Sequence, residues 1–445
     1  MSELSLTAAL RDATALQSRA SDPAISAWVS ANAGSGKTHV LARRVIRLLM
    51  RGVLPGRVLC LTYTKASAAN MANRVLDELR RWVTLDDDAL DGEIVKTDGG
   101  QPDAQRRARA RRLFAQALET PGGLKIQTIH AFCGALLHAF PFEAGVPAGF
   151  GELEEAARQE LLARVRAEVV LQGAGHPESE LGQALALIIG ETSDDGIDQL
   201  IAGLVGDPQA LDATEADIAA AVGLDAPVAS RDIERRLVEE ALIAPGAWLG
   251  LGQALVLEGG NAARRGYALL AAAQAPEDAR ADAYADVFLK DDGEPYGDAQ
   301  FGAAGVRARY PLLLAERERI APLGKLLAAA RAYERSRALL VLGRESMRRY
   351  ERAKAARGVL DFADLITAAR RLLASGASAW VHYKLDQGID HVLLDEAQDT
   401  SPDQWEVIRP LVAEFFAGEG TRDESRSLPR TLFVVGDEKQ SIFSF

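Results

Sequence analysis

The sequence predicts an α/β protein: a parallel sheet with flanking helices, assembled from the two ends of the chain and split by a mostly helical insertion. Three patterns carry that expectation. Short apolar runs alternate with helical periods over residues 1–145, as they do where parallel strands are joined by crossover helices. From 146 to 352 the alternation stops, and Ala, Leu, Arg and Glu recur at helical spacing. Over 353–445 the apolar runs return, each ending in acidic residues. At 445 residues the chain exceeds what one core usually serves, so two or three domains are expected, one of them discontinuous.

Taken in order, Ile25 to Val29 reads as a strand entering a small-residue loop. A helix follows from Thr38 to Met50, with Val40, Leu41, Val45, Leu48 and Leu49 on one face. Val58–Tyr63 is a second buried strand and Ser67–Trp82 its helix, which makes a parallel βαβ start. An acidic, Gly-containing linker is expected at about 85–103, then a strand at Leu124–Thr128 feeding a helix at Ile129–Phe140. In the middle, Glu152–Leu171 and Leu323–Arg352 are the clearest helical runs, with looser stretches near 258–262 and 290–304. Val392-Leu393-Leu394 and Leu432-Phe433-Val434-Val435 supply two late strands that belong beside the early ones.

Composition narrows the function classes. The chain is 48% apolar and 26% charged, ordinary for a folded protein. Its formal charge of −12 excludes a globally basic nucleic-acid binder, so phosphate contacts must come from local patches. Arg43, Arg44, Arg47 and Arg51 crowd one segment, and Arg106, Arg107, Arg109, Arg111 and Arg112 another; each run taken alone is expected to be a solvated helix face. Cys60 and Cys133 are too few for a disulfide framework or zinc site and are expected in the core. The histidines show no metal-ligand spacing, and no serine or cysteine has a catalytic neighbour in sequence. No stretch reaches the roughly 18 apolar residues of a membrane span, and the expectation is a soluble, cytoplasmic protein.

Chemistry concentrates in three motifs. Ala31-Asn32-Ala33-Gly34-Ser35-Gly36-Lys37-Thr38 is a phosphate-binding loop with Ala in place of the usual first Gly, followed by His39. Gly34 and Gly36 let backbone N–H groups turn toward phosphates, and the next helix aims its positive end at them. Lys37 is expected on the β- and γ-phosphates of ATP and Thr38 on Mg²⁺. In Leu393-Leu394-Asp395-Glu396-Ala397-Gln398-Asp399, a strand ends in an acidic pair; Asp395 is expected in the Mg²⁺ shell, with Glu396 taking a proton from the attacking water. The third motif is Val434-Val435-Gly436-Asp437-Glu438-Lys439-Gln440-Ser441-Ile442, where Gln440 is placed to sense the γ-phosphate.

With Leu61-Thr62-Tyr63-Thr64-Lys65-Ala66 added, these motifs in this order resemble the UvrD/Rep helicases of superfamily 1. Narrower likenesses point to the AddA branch of helicase–nucleases. They are the run Ala27 to Leu41, Leu124-Lys125-Ile126-Gln127-Thr128-Ile129-His130-Ala131-Phe132-Cys133, Asp361-Phe362-Ala363-Asp364-Leu365, and Tyr383-Lys384-Leu385-Asp386 leading into Ile389-Asp390-His391. The resemblance covers both ends of the chain and implies a RecA-like P-loop NTPase domain interrupted by a helical, 1B-like insertion. It implies a 3′ to 5′ DNA motor in double-strand-break repair, whose partners are single-stranded DNA, duplex DNA and an AddB-type protein.

Residue by residue, the resemblance places Gln17 on adenine. It places Thr62, Tyr63 and Thr64 on single-stranded DNA, Thr128 and His130 on a second DNA contact, and Phe443 and Phe445 against bases. Bland alternatives stand beside these: Tyr63 as a strand-end core aromatic, Phe443 as a buried side chain, His130 as a helix residue bonded to backbone. Asn70 stands where relatives commonly carry Glu. The family's second RecA-like domain, with its γ-phosphate arginines, and the AddA nuclease region have no counterpart before Phe445, so the chain is expected to be the front part of a longer protein. Competing readings are a nucleotide-gated DNA-binding module without turnover and a free-standing UvrD-like repair helicase without nuclease.

Overall fold

The structure, a computed structural model, describes residues 15–30, 36–121, 123–190, 194–374, 380–381, 384–385, 388–416, 428–437 and 439. Contacts divide the chain into two compact units, Met1–Glu155 with Lys354–Phe445, and Ala156–Ala353. The first boundary falls later than the loss of α/β alternation marks. Phe150 and Leu153 are buried, and Gly151–Glu152 (β4, below) pairs with Val359–Leu360 within the first unit.

In the first unit the order is β1 (Ala27–Ser30), α1 (Lys37–Met50), β2 (Val58–Thr62), α2 (Lys65–Thr84), α3 (Asp87–Asp98), α4 (Ala104–Glu119), β3 (Lys125–Thr128), α5 (Ile129–Ala139) and β4 (Gly151–Glu152). After the second unit come β5 (Val359–Leu360), α6 (Phe362–Ala374), β6 (His391–Leu394), α7 (Pro402–Phe416) and β7 (Thr431–Gly436). Five strands form one sheet in the order β1-β7-β6-β2-β3, every pair parallel. The expected α/β class with a parallel sheet is the one observed, and the early and late strands share that sheet.

Both faces of the sheet are covered, which is why the strands read as unbroken apolar runs. Side chains alternate between two cores. Val58, Cys60, Leu393, Phe433 and Val435 pack with α1, α2, α3 and α4. Leu59, Leu61, Val392, Leu394 and Val434 pack with α5, α6 and α7. Cys60 and Cys133 are buried free thiols, and burial pushes Cys133 up to about 12.

Local chemistry sets the helix starts. Thr64, Asp86, Asp103 and Thr128 cap α2, α3, α4 and α5 by accepting backbone N–H groups. Two reciprocal caps begin the late helices. Asp361 and Asp364 each accept the other's backbone N–H, at 2.9 and 3.0 Å, and Lys354 Nζ neutralises both at 3.1 and 2.7 Å. Ser401 and Gln404 do the same for α7, whose first residue is Pro402.

Three expectations are corrected. The first strand starts at Ala27 rather than Ile25, because the Ile25 carbonyl turns to accept from Arg44. The acidic stretch 85–103 is not a linker. It holds α3, capped by Asp86, ended by Gly99 in the left-handed region (φ 70°), and anchored by buried Leu90 and Ile94 one turn apart. The arginine runs are not solvated faces either. Arg44 is 0% exposed; it donates to the carbonyls of Ala20, Asp22 and Ile25 and to Thr431, and lies over the Phe433 ring at 4.7 Å. Burial lowers it to about 10, so it stays charged at neutral pH. Arg51 meets Asp98, Arg107 meets Asp91 and Arg111 meets Asp87, so α1 and α4 hold the acidic helix between them.

The second unit is helical. One core gathers Trp248, Tyr284, Phe288 and Phe301, with Trp248 and Tyr284 stacked at 4.1 Å. Glu316 is 0% exposed and is satisfied by the Tyr284 hydroxyl, Arg319 and the Leu242 N–H. The stretch near 258–262 is a tight reversal between the helices Trp248–Glu258 and Gly260–Gln274, with Gly259 and Gly260 at positive φ. The longest helix, Leu312–Arg357, includes Pro322 and carries the chain out of this unit.

Candidate nucleotide site

Parallel pairing delivers the motif residues to one edge of the sheet. Ser30 lies opposite Gly436, Val434 opposite Leu394, Leu394 opposite Leu61, and Thr62 opposite Thr128. Each strand's carboxyl end therefore opens on the same side, where ligands of parallel α/β sheets bind.

The loop after β1 reaches α1 through Gly36, whose φ of 88° suits a residue without a Cβ. A Cβ there would lie 3.3 Å from Gln17 Nε2, so the Gln17 amide stands directly beside the phosphate loop. Lys37 opens α1 and projects to the acidic pair beyond β6: Nζ is 3.9 Å from Glu396 Oε2 and 3.9 Å from Asp437 Oδ2. Thr38 is half-buried, and His39 is lowered by burial and by Arg74 and Arg43.

Asp395 is 5% exposed, its N–H bonded to the Leu61 carbonyl and its Oδ1 accepting from Glu396 N–H at 3.1 Å. Burial, then the neighbouring Glu396 charge, raises its pKa to about 6. Among the described residues Glu396 is the one non-glycine at positive φ, 53°. A non-Gly residue held in this left-handed region costs about 1–3 kcal/mol, and such strain gathers at functional sites. Two residues given no role from sequence belong here. Asp437 is 4% exposed and shares Lys37 with Glu396. Gln398 donates to Glu396 Oε2 at 2.6 Å and to Asp399 Oδ2 at 3.1 Å, and accepts from Asp437 N–H at 2.8 Å. Both lie inside the acidic and third motifs, but spacing alone cannot show which side chains of a turn point inward.

The residues assigned to DNA lie along the β2 and β3 end of the same edge. Thr62 is 0% exposed and donates to the Thr64 carbonyl, which shapes the turn. Tyr63 is half-buried and Thr64 exposed, its hydroxyl capping α2. Thr128 is 7% exposed and caps α5 through Ala131 N–H. His130 packs on Phe362 at 4.9 Å, and burial lowers its pKa against the opposing pull of Glu152. Ala31, Asn32, Ala33, Gly34, Ser35, Gln440, Phe443 and Phe445 lie outside the described residues, as do Tyr383 and Asp386.

A profile of the UvrD/REP helicase N-terminal domain matches residues 13–216 and 315–445. The ATP-dependent helicase/nuclease subunit of Desulforudis audaxviator (strain MP104C) is 31% identical over 470 residues, covering 94% of this chain and 34% of that protein. Its namesake from Pelotomaculum thermopropionicum is 28% identical over 467 residues, covering 94% and 33%. That of Enterococcus faecalis (strain ATCC 700802 / V583) is 31% identical over 175 residues, covering 39% and 12%. The chain thus spans about a third of the length of the two relatives that match it nearly throughout.

Proposed function

The chain belongs to the UvrD/REP helicase family, and from that premise we propose that it is the nucleotide-gripping half of an ATP-dependent DNA motor, of the AddA helicase–nuclease type. The first unit acts as a RecA-like ATPase domain and the second as a 1B-like insertion; expressed as sequence ranges, 1–145 and 353–445 flank 146–352. The observation that carries this reading is the meeting of Lys37 with Glu396, from opposite ends of the chain, at 3.9 Å.

In this reading Lys37 leaves its two carboxylates for the β- and γ-phosphates of ATP, and Gln17 reads the adenine. Backbone N–H groups of the loop from Ala31 to Gly36 wrap the phosphates, with Thr38 and His39 at the mouth of α1. Four carboxylates, Asp395, Glu396, Asp399 and Asp437, gather around the Lys37 ammonium, a surplus of hard oxygen donors that suits a divalent cation such as Mg²⁺. Thr38 and Asp395 would hold it, and it would supply charge neutralisation at the phosphates. Glu396 accepts the proton of the attacking water, and Gln440 senses the γ-phosphate. Thr62, Tyr63, Thr64, Thr128 and His130 line the DNA track, with Phe443 and Phe445 stacking bases at about 1–3 kcal/mol each without regard to sequence.

The helicase/nuclease name that the relatives carry supports a role in double-strand-break repair, 3′ to 5′ movement, single-stranded and duplex DNA as substrates and an AddB-type partner. Among the described residues no helix is long and apolar enough to cross a membrane, and a cytoplasmic setting fits the two free thiols.

The test is ATP turnover by residues 1–445 with and without single-stranded DNA, compared with Glu396→Gln. Nucleotide binding with weak hydrolysis is expected, because an arginine brought from another domain contributes about 10³–10⁵ in rate. Full DNA-stimulated turnover would overturn the half-motor reading. Equal turnover in wild type and Glu396→Gln would overturn the enzyme reading and favour a binding module.

A further inference from the structure

A carboxamide is one of the few side chains that offers both donors and an acceptor at one tip. At Gln398 all are in use. The Nε2 group donates to two carboxylates, Glu396 and Asp399, from within the turn after β6. The Oε1 atom accepts from the Asp437 N–H, in the turn after β7. The orientation of the amide is forced, since reversing it would set its oxygen against two carboxylates and its NH₂ against an N–H. The β7 turn lies close over it: a Cβ on Gly436 would stand 3.2 Å from Gln398 Oε1. Lys37 bridges the same two turns from the other side, 3.9 Å from both Glu396 and Asp437.

We propose that Gln398 is a positioning residue that ties the Glu396 carboxylate to the Gly436–Asp437 turn, so that the acidic pair and the third motif move together. The inference rests on the nucleotide-site reading and deepens it. A triphosphate that draws Lys37 away removes one of the two bridges between these turns, and Gln398 is the bridge that remains. The base then keeps its aim while the β7 turn shifts. Glutamate at this position would place a third carboxylate against Glu396 and Asp399 and lose the donor, which is why the amide is required.

The same turns border a cavity of about 320 Å³ lined by Trp28, Trp405, Ser30, Ala397, Gln398, Gly436 and Asp437. Its two indoles lie nearly parallel, 6.3 Å apart, and serve as a built-in reporter. In the 1–445 protein with Mg²⁺, the non-hydrolysable analogue AMP-PNP is expected to change tryptophan emission where ADP does not, and Trp405→Phe is expected to remove that change. Gln398→Leu should bind a fluorescent ATP analogue within threefold of wild type yet lose the emission change, and its turnover should fall at least tenfold at unchanged KM. Gln398→Glu, nearly the same shape, should do likewise and guards against a folding defect in the leucine variant.

Wild-type emission response and turnover in both variants, with Glu396→Gln inactive, would overturn the coupling while leaving the nucleotide site intact. Triphosphate binding by wild type without any emission change would also overturn it. Failure of wild type to bind triphosphate would take down the site reading and the coupling together.

Discussion

The two ends of helix α1 use positive charge in opposite ways. At its start Lys37 faces a crowd of carboxylates that one ammonium cannot neutralise. Further along, Arg44 and Arg47 sink into the fold and direct their N–H groups to the carbonyls of Ser18, Ala20, Asp22 and Ile25 and the hydroxyls of Ser21 and Thr431. Asp98 is held there by Arg47, Arg51 and Arg106 at 3.8, 3.1 and 3.6 Å. Charge that the protein itself satisfies builds the fold. Charge left in surplus at the end of parallel strands is what a polyvalent ligand completes, and perturbed carboxylates such as Asp395 collect there.

The contrast predicts a graded set of outcomes. Lys37→Met should lower ATP turnover by roughly 10²–10⁴, the range for losing a positioned catalytic group, while the urea midpoint hardly moves. A large stability loss instead would place Lys37 with the structural arginines. Arg44→Met should behave in reverse, costing about 3 kcal/mol or more in urea unfolding because several buried carbonyls lose their donor at once; a change under about 1 kcal/mol would refute the buried-anchor account.

Asp395→Asn should stabilise the nucleotide-free protein, measured in EDTA. The folded pKa of about 6 lies above the ordinary 3.8, so the folded state takes up a proton and stability falls as pH rises from about 4 to 6. Above that window the ionised, buried carboxylate costs roughly 2–3 kcal/mol, which asparagine avoids. Below pH about 4 the two proteins should unfold alike, and a difference that ignores pH would rule the explanation out. The smallest effect is expected at Arg111→Ala. Its ion pair with Asp87, at 2.8 Å, is largely exposed, and its loss should cost under about 1 kcal/mol by thermal melt.

Much of the fold was legible because its signals are local. Apolar runs marked β2, β6 and β7, helical spacing marked α1 and α2, and a glycine–lysine loop next to a strand marked the phosphate site. The misreading of α3 is instructive. Three consecutive acids at Asp86, Asp87 and Asp88 look like a solvated linker, yet the first is a cap and the helix behind it is charge-matched by α1 and α4. The matching arginines sit in other segments, so no window of sequence contains both halves of the balance. Within the second unit, residues 217–314 fall outside the family match, and much of its aromatic core lies there.

Sequence by itself determined the order of the elements, the identity of the phosphate loop and the acidic strand end, and the family these motifs resemble. These depend on neighbours along the chain: a glycine that permits a left-handed turn, an apolar period, an acid directly after a strand. Tertiary structure alone decided which turn residues face each other, bringing Gln398 and Asp437 to Glu396 and Lys37 and taking Arg44 out of solvent. The physical reason is that hydrogen bonds and burial are settled by distances in space, and parallel pairing joins strands whose residues lie hundreds of positions apart.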